Sequence, residues 1–189
     1  MLTFSPDWTV FDAPVQTIVN TVNCVGVMGK GLALEVKNRF PVVYLKYRKA
    51  CERGTLDIGK LQLVKTPATW VLNFPTKRHW RGPSNLPDIE EGLKKFASTY
   101  KRRGITSIAF PPLGCGSGGL NWEDVRPLME KYLGGLDGVE IYVCLAPPKH
   151  VSMTDGQRKP RQGRQSEEGG LPLSERPIET KLATSDADE

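Results

Sequence analysis

Strands and helices alternate along this chain, and the fold class they predict is α/β. Three observations carry that prediction. Apolar, β-branched stretches at 16–22, 60–65, 69–74, 105–110 and 139–145 are separated by stretches with helical spacing. Two glycine-rich turns each sit between a strand and a helix. The intervening segment 86–103 has an apolar face of Ile89, Leu93, Phe96, Ala97 and Tyr100, as a helix covering a sheet requires.

Taken in order, 16–22 alternates and ends at Asn23, which gives the first strand. Helical spacing of Leu32, Leu34, Val36 and Phe40 follows, until Pro41 interrupts it. Pro41 suits the first turn of a second helix over 42–52, with Gly54 as its stop. Two strands, 60–65 and 69–74, flank a Thr-Pro-Ala turn, and 75–83 reads as a loop. Gly104 ends the long helix, and 105–110 is apolar throughout, the pattern of a strand covered on both faces. Asn121 is placed to cap a helix over 123–133, and 139–145 closes the domain as a strand.

The 189 residues suit one domain of ordinary size with some excess. The excess lies from position 150 onward, where no Phe, Trp or Tyr occurs and Gly, Pro, Ser, Gln, Arg and acidic residues dominate. Such a segment buries too little apolar surface to offset its ordering entropy, so the domain is assigned to 1–149 and 150–189 to a disordered polar tail. The tail carries six Lys/Arg against eight Asp/Glu, and the body twenty against thirteen. A body with that surplus suits an anionic ligand, phosphate or nucleic acid foremost. The basic run Arg158-Lys159-Pro160-Arg161 in the tail is read as a solvated linker. Cys24, Cys51, Cys115 and Cys144 form no CxxC pair and no metal-like spacing. Without a signal peptide or a membrane-length apolar run, the expected setting is a reduced cytoplasm.

The first glycine turn reads Gly26-Val27-Met28-Gly29-Lys30-Gly31, and the second Leu113-Gly114-Cys115-Gly116-Ser117-Gly118-Gly119-Leu120. Glycines between a strand and a helix let backbone N–H groups approach a phosphate that any side chain would hold away. Two such turns on one domain can grip both phosphates of a diphosphate. Neither is read as GxxxxGK[ST] or as GxGxxG, so neither P-loop NTPase chemistry nor ordinary dinucleotide binding is expected.

Ile18-Val19-Asn20-Thr21-Val22-Asn23 with the first glycine turn resembles the first ADP-ribose-binding motif of macro domains. The second turn, running on to Asn121-Trp122, resembles their diphosphate loop. The similarity is greatest to the DarG antitoxin type, which reverses DNA ADP-ribosylation by a DarT toxin, and extends to the terminal ADP-ribose protein glycohydrolases. That resemblance implies a three-layer α/β/α fold with a mixed sheet. It implies ADP-ribose contacts from Thr9, the first turn with Leu32, Thr76, and the second turn. It also implies no metal or diffusible cofactor, a DNA-linked substrate, and a DarT-like toxin as a possible partner. The chain is expected to act as a monomer, away from membranes.

In a basic loop, a lone lysine is ordinarily a solvated charge; the resemblance makes Lys77 the catalytic residue. Its amine would attack the anomeric carbon of the distal ribose, or stabilise charge as the glycosidic bond breaks. Attack requires the neutral amine, so burial or neighbouring cations (Arg78, Arg81, Lys30) are expected to lower its pKa. Asn23 is expected to orient the distal ribose, against the alternative that it caps the next turn. Asn20, on the other side of the strand, is expected to be structural. Trp8 and Thr9 stand where macro domains usually carry Gly-Asp or Gly-Asn against adenine. Trp8 stacks on the base or lies in the core. Arg78, Trp80 and Arg81, with His79, offer the aromatic and cationic groups that a DNA strand needs. In the protein-directed relatives an aspartate stands where this chain has Gly118, which favours DNA over acidic side chains of proteins. A non-catalytic ADP-ribose-binding module is the remaining alternative.

Overall fold

The computed structural model describes residues 1–147. Its elements run β1 (Leu2–Ser5), β2 (Thr17–Asn23), α1 (Gly31–Arg39), α2 (Pro41–Glu52), β3 (Gln62–Val64), β4 (Trp70–Lys77), α3 (Leu86–Arg103), β5 (Ser107–Phe110), α4 (Trp122–Leu133) and β6 (Glu140–Cys144). The six strands form one sheet in the order β1-β6-β5-β2-β4-β3, parallel except for β3, which runs antiparallel to β4. The sheet is therefore mixed, and its centre (β6, β5, β2, β4) is parallel.

Side chains alternate across the sheet with the period of two that strands impose. Val19, Leu72, Phe74, Ile108, Phe110, Ile141 and Val143 face α3 and α4, joining Leu93, Phe96, Val125 and Met129 in the largest core cluster. Ile18, Val71, Ala109 and Cys144 face the other way, onto Val36 of α1 and Val43 of α2. A third cluster, with Val22, Met28, Tyr47 and Leu56, seats the first glycine turn on α2. Two helices on each face make the three layers.

Two differences from the sequence reading matter. Residues 2–5, read as no element, form an edge strand beside β6; four residues at a terminus give too short a pattern to stand out. More important, β4 does not stop at Phe74. It continues through Pro75 and Thr76 to Lys77. Proline lacks the N–H that a ladder needs and is tolerated where pairing is irregular. Here the register slips beside it: Val22 pairs with Pro75 and Asn23 with Lys77, leaving Thr76 as the extra residue of a bulge. Lys77 therefore ends a central strand instead of riding on a loop.

The long helix matches its expected bounds. Asn85 caps it by accepting from the Asp88 N–H at 2.9 Å, and Gly104 closes it at φ 73°. Asn121 stands at the start of α4 as expected but makes no side-chain capping bond; Glu123 and Asp124 in the first turn face the helix dipole instead. The basic run at 158–161 lies outside the described residues.

Candidate active site

A cleft of about 330 Å³ opens at the carboxyl ends of the parallel strands, where ligands of open α/β sheets bind. One wall is the start of α1, with Lys30, Gly31, Leu32 and Ala33. The opposite wall is the second glycine turn, from Gly114 to Gly118. Thr21, Thr76 and Lys77 lie between them, and Thr9, Val10 and 144–147 close the far end.

Both walls present unspent backbone donors. Helix α1 begins at Lys30 with no side-chain cap and no acidic residue in its first turn. Its N–H groups and positive dipole end are open to an anion. Across the cleft, the only backbone donors of 114–119 with acceptors among the described residues are Cys115, bonded to Pro112 O, and Gly119, bonded to Gly116 O. Those of Gly116, Ser117 and Gly118 have none. Two facing rows of free N–H groups fit two linked phosphates, and the surplus of basic residues agrees.

The second turn holds its shape through glycine-specific contacts. Gly114 sits at φ 73°. A Cβ on Gly118 would lie 2.3 Å from both Gly114 O and Ser84 Oγ. The Ser84 N–H donates to Gly118 O at 2.9 Å, tying the turn to the start of α3. Glycine at 118 is thus dictated by packing, whatever else it does for the substrate.

Lys77 is half-buried at the edge of this cleft. Its Nζ donates to Ser117 O at 2.7 Å and to Gly82 O at 3.3 Å, bridging the end of β4 to the second turn. Burial lowers its pKa from the usual lysine value of 10.5. The expected help from neighbouring cations is absent. Arg78 instead faces Asp57 at 3.8 Å and Asp88 at 3.6 Å, and Arg81 lies 4.5 Å over the Trp80 ring.

Asn23 is engaged differently from the expectation. It is buried, and Oδ1 accepts from the N–H groups of Val25 (3.1 Å) and Val27 (3.3 Å) and from Tyr47 Oη (3.0 Å). Its Nδ2 donates to Val27 O at 2.6 Å. With its amide spent on the 23–27 turn, it does not line the cleft; here the turn-capping alternative describes what its side chain touches. Asn20 is fully buried and donates to Asn73 at 2.8 Å, in keeping with a structural role.

The side chains of Met28 and Leu113 are in the core, and Gly26, Val27, Gly29, Gly119 and Leu120 also fall outside the cleft lining. Thr9 lines it, with its hydroxyl donating to Asp12 Oδ2 at 2.8 Å, so toward a ligand that hydroxyl can only accept. Trp8 is neither in the cleft lining nor in the core: it is 37% exposed and tilts against Tyr142 at 5.7 Å. Trp80 is exposed and stacked with His79 at 5.5 Å. Burial pushes the Cys115 thiol up to about 11, so it is no ready nucleophile. Among the described residues no three His, Cys, Asp or Glu side chains gather to hold a metal.

Cleft-lining residues that the sequence reading missed are Val10, Thr21, Ala33, Pro111, Pro112 and 144–147. The last group follows the carboxyl end of β6, and the rule that ligands bind beyond parallel strand ends would have marked it.

A macro-domain family model matches residues 19–129. The chain belongs to the macro-domain family. Within it, this macro domain is 44% identical over 158 residues to a DNA ADP-ribosyl glycohydrolase of Thermus aquaticus, covering 80% of this chain and 44% of that protein. The chain therefore spans less than half of that relative's length. The solved macrodomain of Thermus aquaticus DarG superposes with a TM-score of 0.73 at 45% identity, covering 77% of this chain and 99% of that one. Thermosipho africanus DarTG, solved in complex with ADP-ribose, superposes at 0.70 with 43% identity, over 73% of this chain and 40% of that one. The macro-domain match places the two glycine turns of this chain in a fold whose relatives include an ADP-ribose complex.

Proposed function

We propose that this macro domain is an ADP-ribosyl glycohydrolase that removes ADP-ribose from ADP-ribosylated DNA bases and so reverses the action of a DarT-like transferase. The diphosphate lies between the start of α1 and the second glycine turn, adenine lies toward Thr9 and 144–147, and the distal ribose reaches Lys77. The observation that carries the reading is the position of Lys77: a half-buried amine of lowered pKa, at the edge of a cleft whose two walls offer free N–H groups. The names of the relatives, DNA ADP-ribosyl glycohydrolase among them, support the choice of DNA.

In this mechanism the ammonium first loses a proton, and the neutral amine attacks the anomeric carbon of the distal ribose. A C–N bond to Lys77 forms as the bond from that carbon to the base nitrogen breaks. The base leaves with the electron pair and takes up a proton. Water then hydrolyses the lysine–ribose bond, giving ADP-ribose and free Lys77. Asn23 supports the ribose end by fixing the 23–27 turn. The catalytic unit is 1–149.

The test is release of ADP-ribose from an ADP-ribosylated single-stranded oligonucleotide and, separately, from a protein ADP-ribosylated on glutamate. Release from the oligonucleotide alone is expected. Release from the protein alone would make it a protein hydrolase, and release from neither would leave a binding module.

A further inference from the structure

We infer that the rim beyond Lys77, made by loops 24–28 and 78–82, is a platform for the unmodified nucleotides on either side of the modified one, and that it takes them unpaired. This inference rests on the DNA reading above. The two loops leave the sheet side by side. Asn23 pairs with Lys77 in the last ladder position, and the Cys24 N–H donates to Arg78 O at 3.0 Å. They therefore flank the point where anything attached to the distal ribose must emerge.

Their surface is unusual for this protein. Among the described residues seven large apolar side chains are exposed, and three of them, Val25, Val27 and Trp80, fall on these two short loops. Cations stand next to them. The Arg48 Cγ lies 3.7 Å from the Cβ position of Gly26, and its guanidinium extends to the exposed Glu52. Arg81 lies over the Trp80 ring, whose orientation stacking with His79 further fixes. Arg78 acts differently, bracing the second loop by facing Asp57 and Asp88.

Apolar and aromatic side chains beside arginines match the two faces of a single strand, bases on one side and phosphates on the other. A duplex offers only its phosphates here, because its base faces are stacked inside the helix. Val25 and Trp80 therefore gain contact only from an unpaired strand.

The test uses the full chain with three substrates carrying the same modified nucleotide: the isolated nucleoside, a single-stranded oligonucleotide, and that oligonucleotide annealed to its complement. Val25→Asp and Arg48→Glu are expected to lower kcat/KM for the single strand about tenfold and to leave the nucleoside unchanged. The annealed substrate should turn over at least tenfold more slowly than the single strand. For Arg48→Glu the slope of log kcat/KM against log salt should be shallower by about 0.7, the value for one fewer single-strand phosphate neutralised by the protein. Equal slowing on nucleoside and oligonucleotide, or no slowing on either, would overturn the inference. If the unaltered protein releases nothing from any substrate, the glycohydrolase reading fails by itself. The same contrast is then read from fluorescence anisotropy of the intact substrates. Loss of oligonucleotide affinity alone in the variants sustains the platform, and unchanged or equally reduced affinities refute it.

Discussion

At the scale of single residues, the proposed chemistry turns on how Lys77 is held. Its Nζ donates to two carbonyl oxygens, which favour the charged form, while burial opposes it and prevails in lowering the pKa. In the proposed mechanism the reactive species is the neutral amine. Its fraction therefore rises with pH, and lowering the pKa places the rise below 10.5. The rate of ADP-ribose release at saturating substrate should climb tenfold per pH unit and level off below the pH at which a free lysine amine would. A flat profile across that limb would exclude the amine as nucleophile.

The glycine at 118 gives a second prediction at this scale. Because a Cβ there meets backbone and Ser84 Oγ at 2.3 Å, Gly118→Ala should distort the turn and weaken ADP-ribose binding at least tenfold by calorimetry. Gly118→Asp should do the same and yield no protein-directed hydrolase. Adding Ser84→Gly should restore only part of the affinity, since the clash with Gly114 O remains. Full affinity in Gly118→Ala would show that the turn yields easily.

At the scale of elements, α3 packs closely on β4, the strand that ends at Lys77. A Cβ on Gly92 would fall 2.2 Å from the Phe74 ring, so the helix rests on the strand at glycine distance. Two effects compete in Gly92→Ala: about 1 kcal/mol gained from helix propensity and about 1–3 kcal/mol lost to overpacking. Loss should win, lowering the melting temperature by a few degrees. A rise would mean that Phe74 moves aside freely.

This junction also marks the limit of what the sequence discloses. Helix α3 was legible because its apolar period and its Gly104 stop are local. The end of β4 was not, because Pro75 reads locally as a strand breaker. What permits it is a bulge against β2, a partner far away in the chain. The two glycine turns were legible as strand-to-helix turns at the carboxyl ends of the strands from composition and flanking pattern alone, and parts of both line the cleft. Their roles were less so: Asn23 looks free to meet a ligand until Tyr47, on α2, is found beside it. The spacing Gly114-x-Gly116-x-x-Gly119 does fit the dinucleotide fingerprint, a match the sequence reading passed over, but the helix after it starts only at Trp122, so the glycines form a free-standing turn.

At the scale of the whole molecule, the described core and the described cleft lie in the same part of the chain. The three core clusters lie within residues 2–145, and the cleft is lined from Thr9 to Pro147. Shortening the chain after Ser152 should leave both the melting temperature and the affinity for ADP-ribose within error of the full chain. A drop of several degrees would assign the polar segment a share in the fold. The basic body matters at this scale too, because it attracts anions to a cleft whose lining, among the described residues, has no acidic side chain.

Whether Lys77 makes this macro domain an enzyme is decided most directly by one comparison. The unaltered chain and Lys77→Ala are incubated with the same ADP-ribosylated single-stranded oligonucleotide, and free ADP-ribose is followed with time. Release by the unaltered chain and a loss of at least a thousandfold in Lys77→Ala is the predicted result, with circular dichroism confirming that the variant is folded. Release at an undiminished rate by folded Lys77→Ala would contradict it.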